Sequence, residues 1–488
     1  PIIACWMGET QVLAARNALE EAGIPALGMP EAAVELYNHI SAHYQNQKLL
    51  LQTPEGAANP ARQEIEGART LIDAMLLEGH KALSEMASKA LLHAFRIPVT
   101  PTVVARTPTE SLLLAEQIGF PVAMKIDSPD IVRKSEAGGV RLNIGSAPTV
   151  RNAFEEILAT VRAKYPQARL NGISIEPYLA RRNGRELMIR IMRDPVFGPV
   201  ITFGPGGNDV EVFGDRAVAL PPLNHVLAQD LIRATHASLL LGEFRGMPPV
   251  SMAALEEVLL NISEMVCELP WIQELDLNPL IVDEHGAIAA DARILIADTP
   301  AGADRYAHMA IHPYPSHLIQ EWALADGQVI TIRPIRPEDA EMEQDFIKRL
   351  SDESKHFRFM DSLRELTQAM LVRFTQIDYD REMALIATIP GDKRKEKQIG
   401  VARYVRHADG ESAEFALVVA DEWQKHGMGR KLMSQLIDIA RQKGYRTMVG
   451  DVLAINSRML NLVSRLGFSI HPHPDDPAVK RVVRPLRD

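Results

Sequence analysis

Gln424-Lys425-His426-Gly427-Met428-Gly429-Arg430 stands between an apolar, strand-like run, Phe415 to Val419, and a helix-like run, Lys431 to Lys443. A strand, a turn with two glycines two apart and a helix N-terminus together aim several backbone N–H groups, and the positive end of the helix dipole, at one point. The segment therefore reads as a cradle for an anion. Glycine lets the backbone come close to that anion. Arg430 and Lys431 add charge beside the amides, so the expected ligand carries a diphosphate. A glycine turn before a helix is weak evidence by itself, since many such turns only end a strand.

The chain has 488 residues, more than the roughly 250 to 300 that one hydrophobic core holds, so two or three domains are expected. A formal net charge of -10 argues against a nucleic-acid partner, because phosphate backbones attract clustered Lys and Arg, although a local basic pocket is compatible with it. No run of about 18 apolar residues occurs, so no membrane partner is expected. Cys5 and Cys267 are too few for a disulfide framework, and with nineteen methionines they suit a reducing, cytoplasmic setting. Pro1-Ile2-Ile3-Ala4-Cys5-Trp6-Met7 reads as an interior strand with no initiator methionine, and the expectation is a chain lacking its N-terminal part. His308, His312 and His317 fall in a Pro- and His-rich stretch that reads as a solvated linker rather than a metal site. The run Lys393-Arg394-Lys395-Glu396-Lys397 reads as an exposed hairpin loop.

Gln-x-x-Gly-x-Gly at 424 to 429, an acidic strand before it, and Asn456-Ser457-Arg458-Met459-Leu460-Asn461 running to Leu466-Gly467-Phe468 after it resemble the GNAT N-acetyltransferase family. The resemblance begins at Val329-Ile330-Thr331-Ile332-Arg333-Pro334, a strand feeding a helix with early acidic residues, and covers roughly residues 327 to 488. It implies acetyl-CoA as substrate, with the pyrophosphate on Gln424, Lys425, His426, Gly427, Met428, Gly429 and Arg430. The backbone of Leu417, Val418 and Val419 is expected to hold the pantetheine arm like an added strand, and Asn456, an N-cap by type, to reach the same arm.

Transfer to a lysine needs a neutral amine, yet at a pKa of about 10.4 only about one lysine in a thousand is neutral near physiological pH, so a carboxylate must accept the proton. Glu411 and Glu414 precede the cradle with opposite parity and face opposite sides of a regular strand. In the family the base commonly lies an odd number of positions before the cradle glutamine, which favours Glu411; a bulge would exchange it for Glu414. Many members carry a tyrosine seven residues after the Asn as general acid, and here that position is Val463. A thiolate of pKa about 8.5 leaves well near neutral pH, so water can protonate it. Neither cysteine lies in this half, so direct transfer in a ternary complex is expected.

Pro121-Val122-Ala123-Met124-Lys125-Ile126 is an apolar strand ending in a lysine, followed by Arg133-Lys134-Ser135-Glu136-Ala137-Gly138-Gly139-Val140 on a glycine-rich loop, a pairing that suits a nucleotide phosphate. With Ile175-Glu176-Pro177-Tyr178, Gly184-Arg185-Glu186-Leu187, Phe203-Gly204-Pro205-Gly206-Gly207 and Glu274-Leu275-Asp276-Leu277-Asn278-Pro279, this region resembles the ATP-grasp part of NDP-forming acyl-CoA synthetases. The resemblance implies ATP near Lys125, Lys134, Glu176 and Glu186, and magnesium near Asp276 and Asn278, oxygen ligands being what a hard cation takes. Against turnover stands Arg133, where the synthetases usually have a histidine that relays a phosphoryl group; arginine binds phosphate but does not carry it.

The fold class expected is therefore α/β. Residues 1–78 read as the C-terminal part of a flavodoxin-like, succinyl-CoA synthetase-like domain, 79–297 as an ATP-grasp domain, 298–326 as a linker and 327–488 as an α+β GNAT domain. This combination, with Leu350-Ser351-Asp352-Glu353-Ser354-Lys355-His356-Phe357-Arg358-Phe359 after the first helix, resembles the bacterial Pat-type protein lysine acetyltransferases. That resemblance implies lysines of metabolic enzymes such as acetyl-CoA synthetase as acceptors, a homo-oligomer, and a degenerate synthetase-like region acting as a regulatory module. The alternatives are a working ADP-forming acyl-CoA synthetase with a fused regulatory GNAT domain, and a non-catalytic acyl-CoA sensor.

Overall fold

A computed structural model of the chain describes residues 2–8, 10–50, 62–131, 134–179, 183–207, 214–298, 306–324, 327–360, 364–391 and 396–486. Arg133 and Lys393, Arg394 and Lys395 lie outside the described residues. The chain divides into two compact units, Pro1–Thr53 with Pro315–Asp488, and Pro54–Tyr314. Among the described residues no helix is long and apolar enough to cross a membrane.

In the unit Pro54–Tyr314, two sheets carry the structure. The smaller has four strands in the order Val103–Ala105, Gly172–Pro177, Val122–Asp127, Val140–Ile144, all antiparallel. Helices Pro108–Ile118 and Ala147–Lys164 lay Ala115, Val150, Phe154, Ile157 and Val161 on Met124, Ile126, Ile173 and Ile175. The larger sheet is built on the antiparallel pair Arg185–Asp194 and Ile272–Asp283, whose inward side chains Leu187, Ile189, Ile191, Leu275 and Leu277 meet helix Met252–Glu268 in one core. That helix forms for a local reason too, since the Ser251 hydroxyl caps it by accepting from Ala254 N.

The other unit opens with short parallel strands, Ala4–Cys5 and Ala26–Leu27, around helix Leu13–Glu21, and continues into helix Pro30–Leu50. Parallel strands need a crossover helix, as the alternating pattern from Ile2 onward leads one to expect.

From Gln320 onward an eight-stranded sheet forms. Its elements are β1 (Gln320–Ala323), β2 (Val329–Pro334), α1 (Ala340–Arg349), α2 (Asp352–Phe359), α3 (Gln368–Thr375), β3 (Glu382–Pro390), β4 (Glu396–Arg406), β5 (Ser412–Val419), α4 (Met428–Gln442), β6 (Thr447–Leu453), α5 (Ser457–Arg465), β7 (Ser469–Pro472) and β8 (Val479–Pro485). The strand order is β1-β2-β3-β4-β5-β6-β8-β7, antiparallel except for the β5–β6 pair. β1 lies within the stretch 298–326 that reads as a linker. It is an edge strand with exposed polar residues, so it lacks the apolar alternation that marks an interior strand. In the same stretch His308 is half-buried, with its Nε2 2.8 Å from Val266 O, rather than a solvated linker residue.

Alternation along β5 assigns its faces. Val418 joins Val401, Phe346, Ile347 and Leu350 in the core under α1, so Glu414 and Ala416 share that face. Leu417 and Val419 point the other way, toward α4, where a Cβ on Gly429 would lie 3.4 and 4.0 Å from them. α4 buries Met428, Leu432, Met433, Leu436, Ile437 and Ala440, a stripe at helical spacing.

Candidate active site

β5 and β6 pair only through Ser412 with Thr447, Ala413 with Met448 and Glu414 with Val449. Beyond that point both strands continue, β5 to Val419 and β6 to Leu453, with no ladder between them. Their outer edges are taken: β4 holds β5 up to Val419, and β8 holds β6 up to Leu453. The sheet therefore opens as a wedge with Glu414 and Val449 at its apex. Backbone groups along the wedge need partners, and an extended ligand arm with its own amides supplies them. Leu417, Val418 and Val419 all lie along it.

The cradle lies at the open end. Gly427 is the N-cap of α4 at φ 84°, a left-handed conformation that favours glycine, and no side chain caps the helix. Lys431 N bonds to Gly427 O, closing the first turn and leaving the amides of Met428, Gly429 and Arg430 without intrahelical acceptors. Lys425, His426 and Arg430 are exposed around them. Gln424 turns inward: its Nε2 donates to Val419 O at 3.3 Å and to Ser354 Oγ at 3.3 Å, while its Oε1 accepts from Arg458 at 3.0 Å.

Asp421, not singled out from the sequence, ties this loop to α2. Its carboxylate accepts from Ser351 N at 2.8 Å, Ser351 Oγ at 2.9 Å and Ser354 Oγ at 2.6 Å. Burial pushes its carboxyl up, and the Ser354 and Ser351 donors outweigh that and hold it below the ordinary range. The sequence signal was the pair Ser351 and Ser354, an N-cap residue and its N3 partner, which mark a helix start without naming the distant acceptor.

Of the two glutamates, Glu414 is exposed at the wedge apex, on the face of α1 and α3. Glu411 precedes the strand in the turn, where its amide donates to Asp409 and its carboxylate pairs with Arg446 at 3.1 Å. Asn456 caps α5 by accepting from Met459 N at 3.0 Å, so its carbonyl oxygen is already engaged. Val463 is fully buried and offers no proton.

In the other unit, Lys125 and Glu176 meet at 2.5 Å. Two residues the sequence reading passed over complete the group: Lys89 lies 2.6 Å from Glu176 and 3.0 Å from Glu85, and Lys134 also pairs with Glu85. Three lysines and two glutamates thus share one buried space. For Glu85, burial alone raises the carboxyl, but Lys125, Lys134 and Lys89 together hold it well below the usual carboxylate range. Lys125 is pushed above its ordinary value: burial opposes this, and Asp291, Glu85 and Glu176 prevail. The spacing Glu85-x-x-x-Lys89 on one helix face was the available signal.

Glu186 belongs to a second cluster, where Gly206 N donates to Glu186 O at 2.8 Å and Gly207 N to Asn278 Oδ1 at 2.8 Å. Asp276 pairs with Arg190 at 2.9 Å. No group of three His, Cys, Asp or Glu side chains that could hold a metal ion occurs among the described residues. Asp276 and Asn278 are not part of such a group.

Residues 74–296 match the ATP-grasp domain, and residues 347–468 match the acetyltransferase (GNAT) family. The beta subunit of the ADP-forming acetate–CoA ligase I of Pyrococcus furiosus is 38% identical over 229 residues, 47% of this chain and 97% of the subunit. An acetyltransferase of Pseudomonas aeruginosa is 38% identical over 154 residues, 32% of this chain and 82% of that protein. The ADP-forming acetate–CoA ligase I of Archaeoglobus fulgidus is 33% identical over 302 residues, 61% of this chain, which spans only 42% of that enzyme.

Proposed function

The chain belongs to the acetyltransferase (GNAT) family over residues 347–468 and to the ATP-grasp domain family over residues 74–296, and we propose that it transfers the acetyl group of acetyl-CoA to lysine ε-amines of proteins. The observation that carries this reading is the wedge between β5 and β6, with uncapped amides at its mouth and a glutamate at its apex. The pantetheine arm fills the wedge as a strand, and the pyrophosphate sits on the amides of Met428, Gly429 and Arg430.

Glu414 is the proton acceptor in this reading, in preference to Glu411. It stands at the apex, where the thioester ends, while Glu411 is held in a turn by Arg446. Glu414 takes a proton from the lysine ammonium, and the neutral amine attacks the thioester carbonyl. The C–S bond breaks as the nitrogen sheds its second proton to water, and water returns a proton to the departing CoA thiolate, Val463 having none to give. Residues 79–297 act as the regulatory module, sensing nucleotide or acyl-CoA, and metabolic enzymes such as acetyl-CoA synthetase are the acceptors. Self-association and a cytoplasmic setting complete the proposal.

The test is transfer of labelled acetyl from acetyl-CoA to acetyl-CoA synthetase, with the modified residue located by mass spectrometry. The reading requires an acetylated lysine, and it requires Glu414→Gln to stop the transfer without loss of acetyl-CoA binding. Binding of acetyl-CoA without transfer to any protein lysine would favour the sensor instead.

A further inference from the structure

We propose that Trp322 is the platform on which the adenine ring of acetyl-CoA stacks, so that part of the carrier site comes from β1, outside residues 347–468. The inference rests on the proposed placing of the pyrophosphate on the amides of Met428, Gly429 and Arg430.

The register of β1 assigns its faces. Trp322 pairs with Ile330 and Gln320 with Ile332, so these two side chains, two residues apart, stand on the same face of the sheet. Gln320 identifies that face, because its Oε1 accepts from Gln435 Nε2 on α4. Trp322 therefore stands toward α4 as well, and its Cη2 lies 3.9 Å from where a Cβ on Gly427 would be. Among the described residues, and apart from the chain neighbours of Gly427, nothing else comes within 4 Å of that point. The indole is thus set beside the N-cap of α4, next to the uncapped amides, and it is half-buried there.

The wedge fixes the order in which the carrier is laid down: the pantetheine arm between β5 and β6, the pyrophosphate at the amides, the adenosine beyond them. Toward α5 the cradle is packed. A Cβ on Gly429 would meet Leu462 Cδ2 at 3.3 Å, and Arg458 is engaged with Gln424 Oε1 at 3.0 Å. Trp423, the indole of the cradle loop itself, packs against the core under α1. Toward β1 the cradle meets the indole of Trp322 and leaves room beside it.

The residue type fits that place. The other residues of β1, Gln320, Glu321 and Ala323, are exposed, as suits an edge strand, and a tryptophan among them offers a flat ring that solvent alone does not call for. An indole gives a purine a large stacking face at little cost in side-chain freedom, and it does so without reading the hydrogen-bonding edge of the base. Trp322 then adds grip on the nucleotide end of the carrier, while the arm and the phosphates are held elsewhere.

The experiment compares two donors in transfer by the full chain to acetyl-CoA synthetase: acetyl-CoA, and S-acetyl-4′-phosphopantetheine, which keeps the thioester and the arm and lacks the adenosine. Thermal melts show that each variant is folded. Trp322→Ala is expected to raise the KM for acetyl-CoA about tenfold, within the range for one base stacked on an aromatic side chain, and to leave kcat within about twofold. The KM for the truncated donor should not move, and Trp322→Phe should restore most of the affinity for acetyl-CoA. An unchanged KM for acetyl-CoA in Trp322→Ala overturns the inference, as does an equal rise for both donors, which would make Trp322 a prop for Gly427. A wild-type chain that takes up the truncated donor as well as acetyl-CoA overturns it too, since the adenosine then contributes nothing. Failure of the underlying reading shows separately, as a wild-type chain that transfers acetyl from neither donor, and the inference falls with it.

Discussion

Replacing Glu414 by glutamine keeps the size and one acceptor atom but removes the charge that takes up a proton under the proposed function. Transfer should fall by about 10²- to 10⁴-fold, the range in which general bases act, while calorimetry finds acetyl-CoA bound as before. Glu411→Gln should stay within a factor of about three, because that side chain only loses an exposed pair with Arg446, worth little in water. The sequence reading narrowed the base to these two residues because both are acidic and close to the cradle. It leaned toward Glu411 because in the family it resembles the base commonly lies an odd number of positions before the cradle glutamine. β5 starts at Ser412, and the turn before it is held by the Asp409 carboxylate, which takes the amides of Glu411 and Ser412 at 2.8 Å. Gly427 was legible for the opposite reason: its role lies in its own backbone conformation, which the residue type announces.

Elements were legible where periodicity was strong, as in α4 with its apolar stripe or β5 with its alternation. What a single chain does not announce is which edges stay unpaired. The wedge exists because β8, from the end of the chain, claims the outer edge of β6, and because β4 claims that of β5. Nothing local to residues 412–419 states that. The same holds for the link from Ser351 and Ser354 to Asp421, which joins helix start and cradle across about seventy positions of sequence. Asp421→Ala should free the N-terminus of α2, seen as faster amide exchange at Ser354 and Lys355. It should also weaken acetyl-CoA binding about fivefold, the equivalent of one ordinary hydrogen bond, because Gln424 loses its support.

At the scale of the whole chain, the unit Pro54–Tyr314 carries its own liability in Glu85. Its carboxylate faces Lys89, Lys125 and Lys134 and is almost fully enclosed. Glu85→Gln strands those lysines around a single glutamate, and urea unfolding of this unit should show a loss of about 3 to 5 kcal/mol. Because Glu85 is held below its ordinary value of 4.5, its stabilisation is full above that pH and fades as acid is added below it. Each family assignment was readable from motifs in its own stretch, Gln424 to Gly429 in one and Lys125 to Asn278 in the other. Glu85 escaped because two of its three lysine partners, Lys125 and Lys134, lie outside its own helix. The wedge has one more implication for the working molecule. Everything it grips under the proposed function belongs to the carrier and not to the two-carbon cargo, so spent CoA fits the same slot as charged CoA. Free CoA should therefore inhibit competitively against acetyl-CoA in initial-rate measurements, and the chain would respond to how much of the carrier pool is loaded rather than to its size.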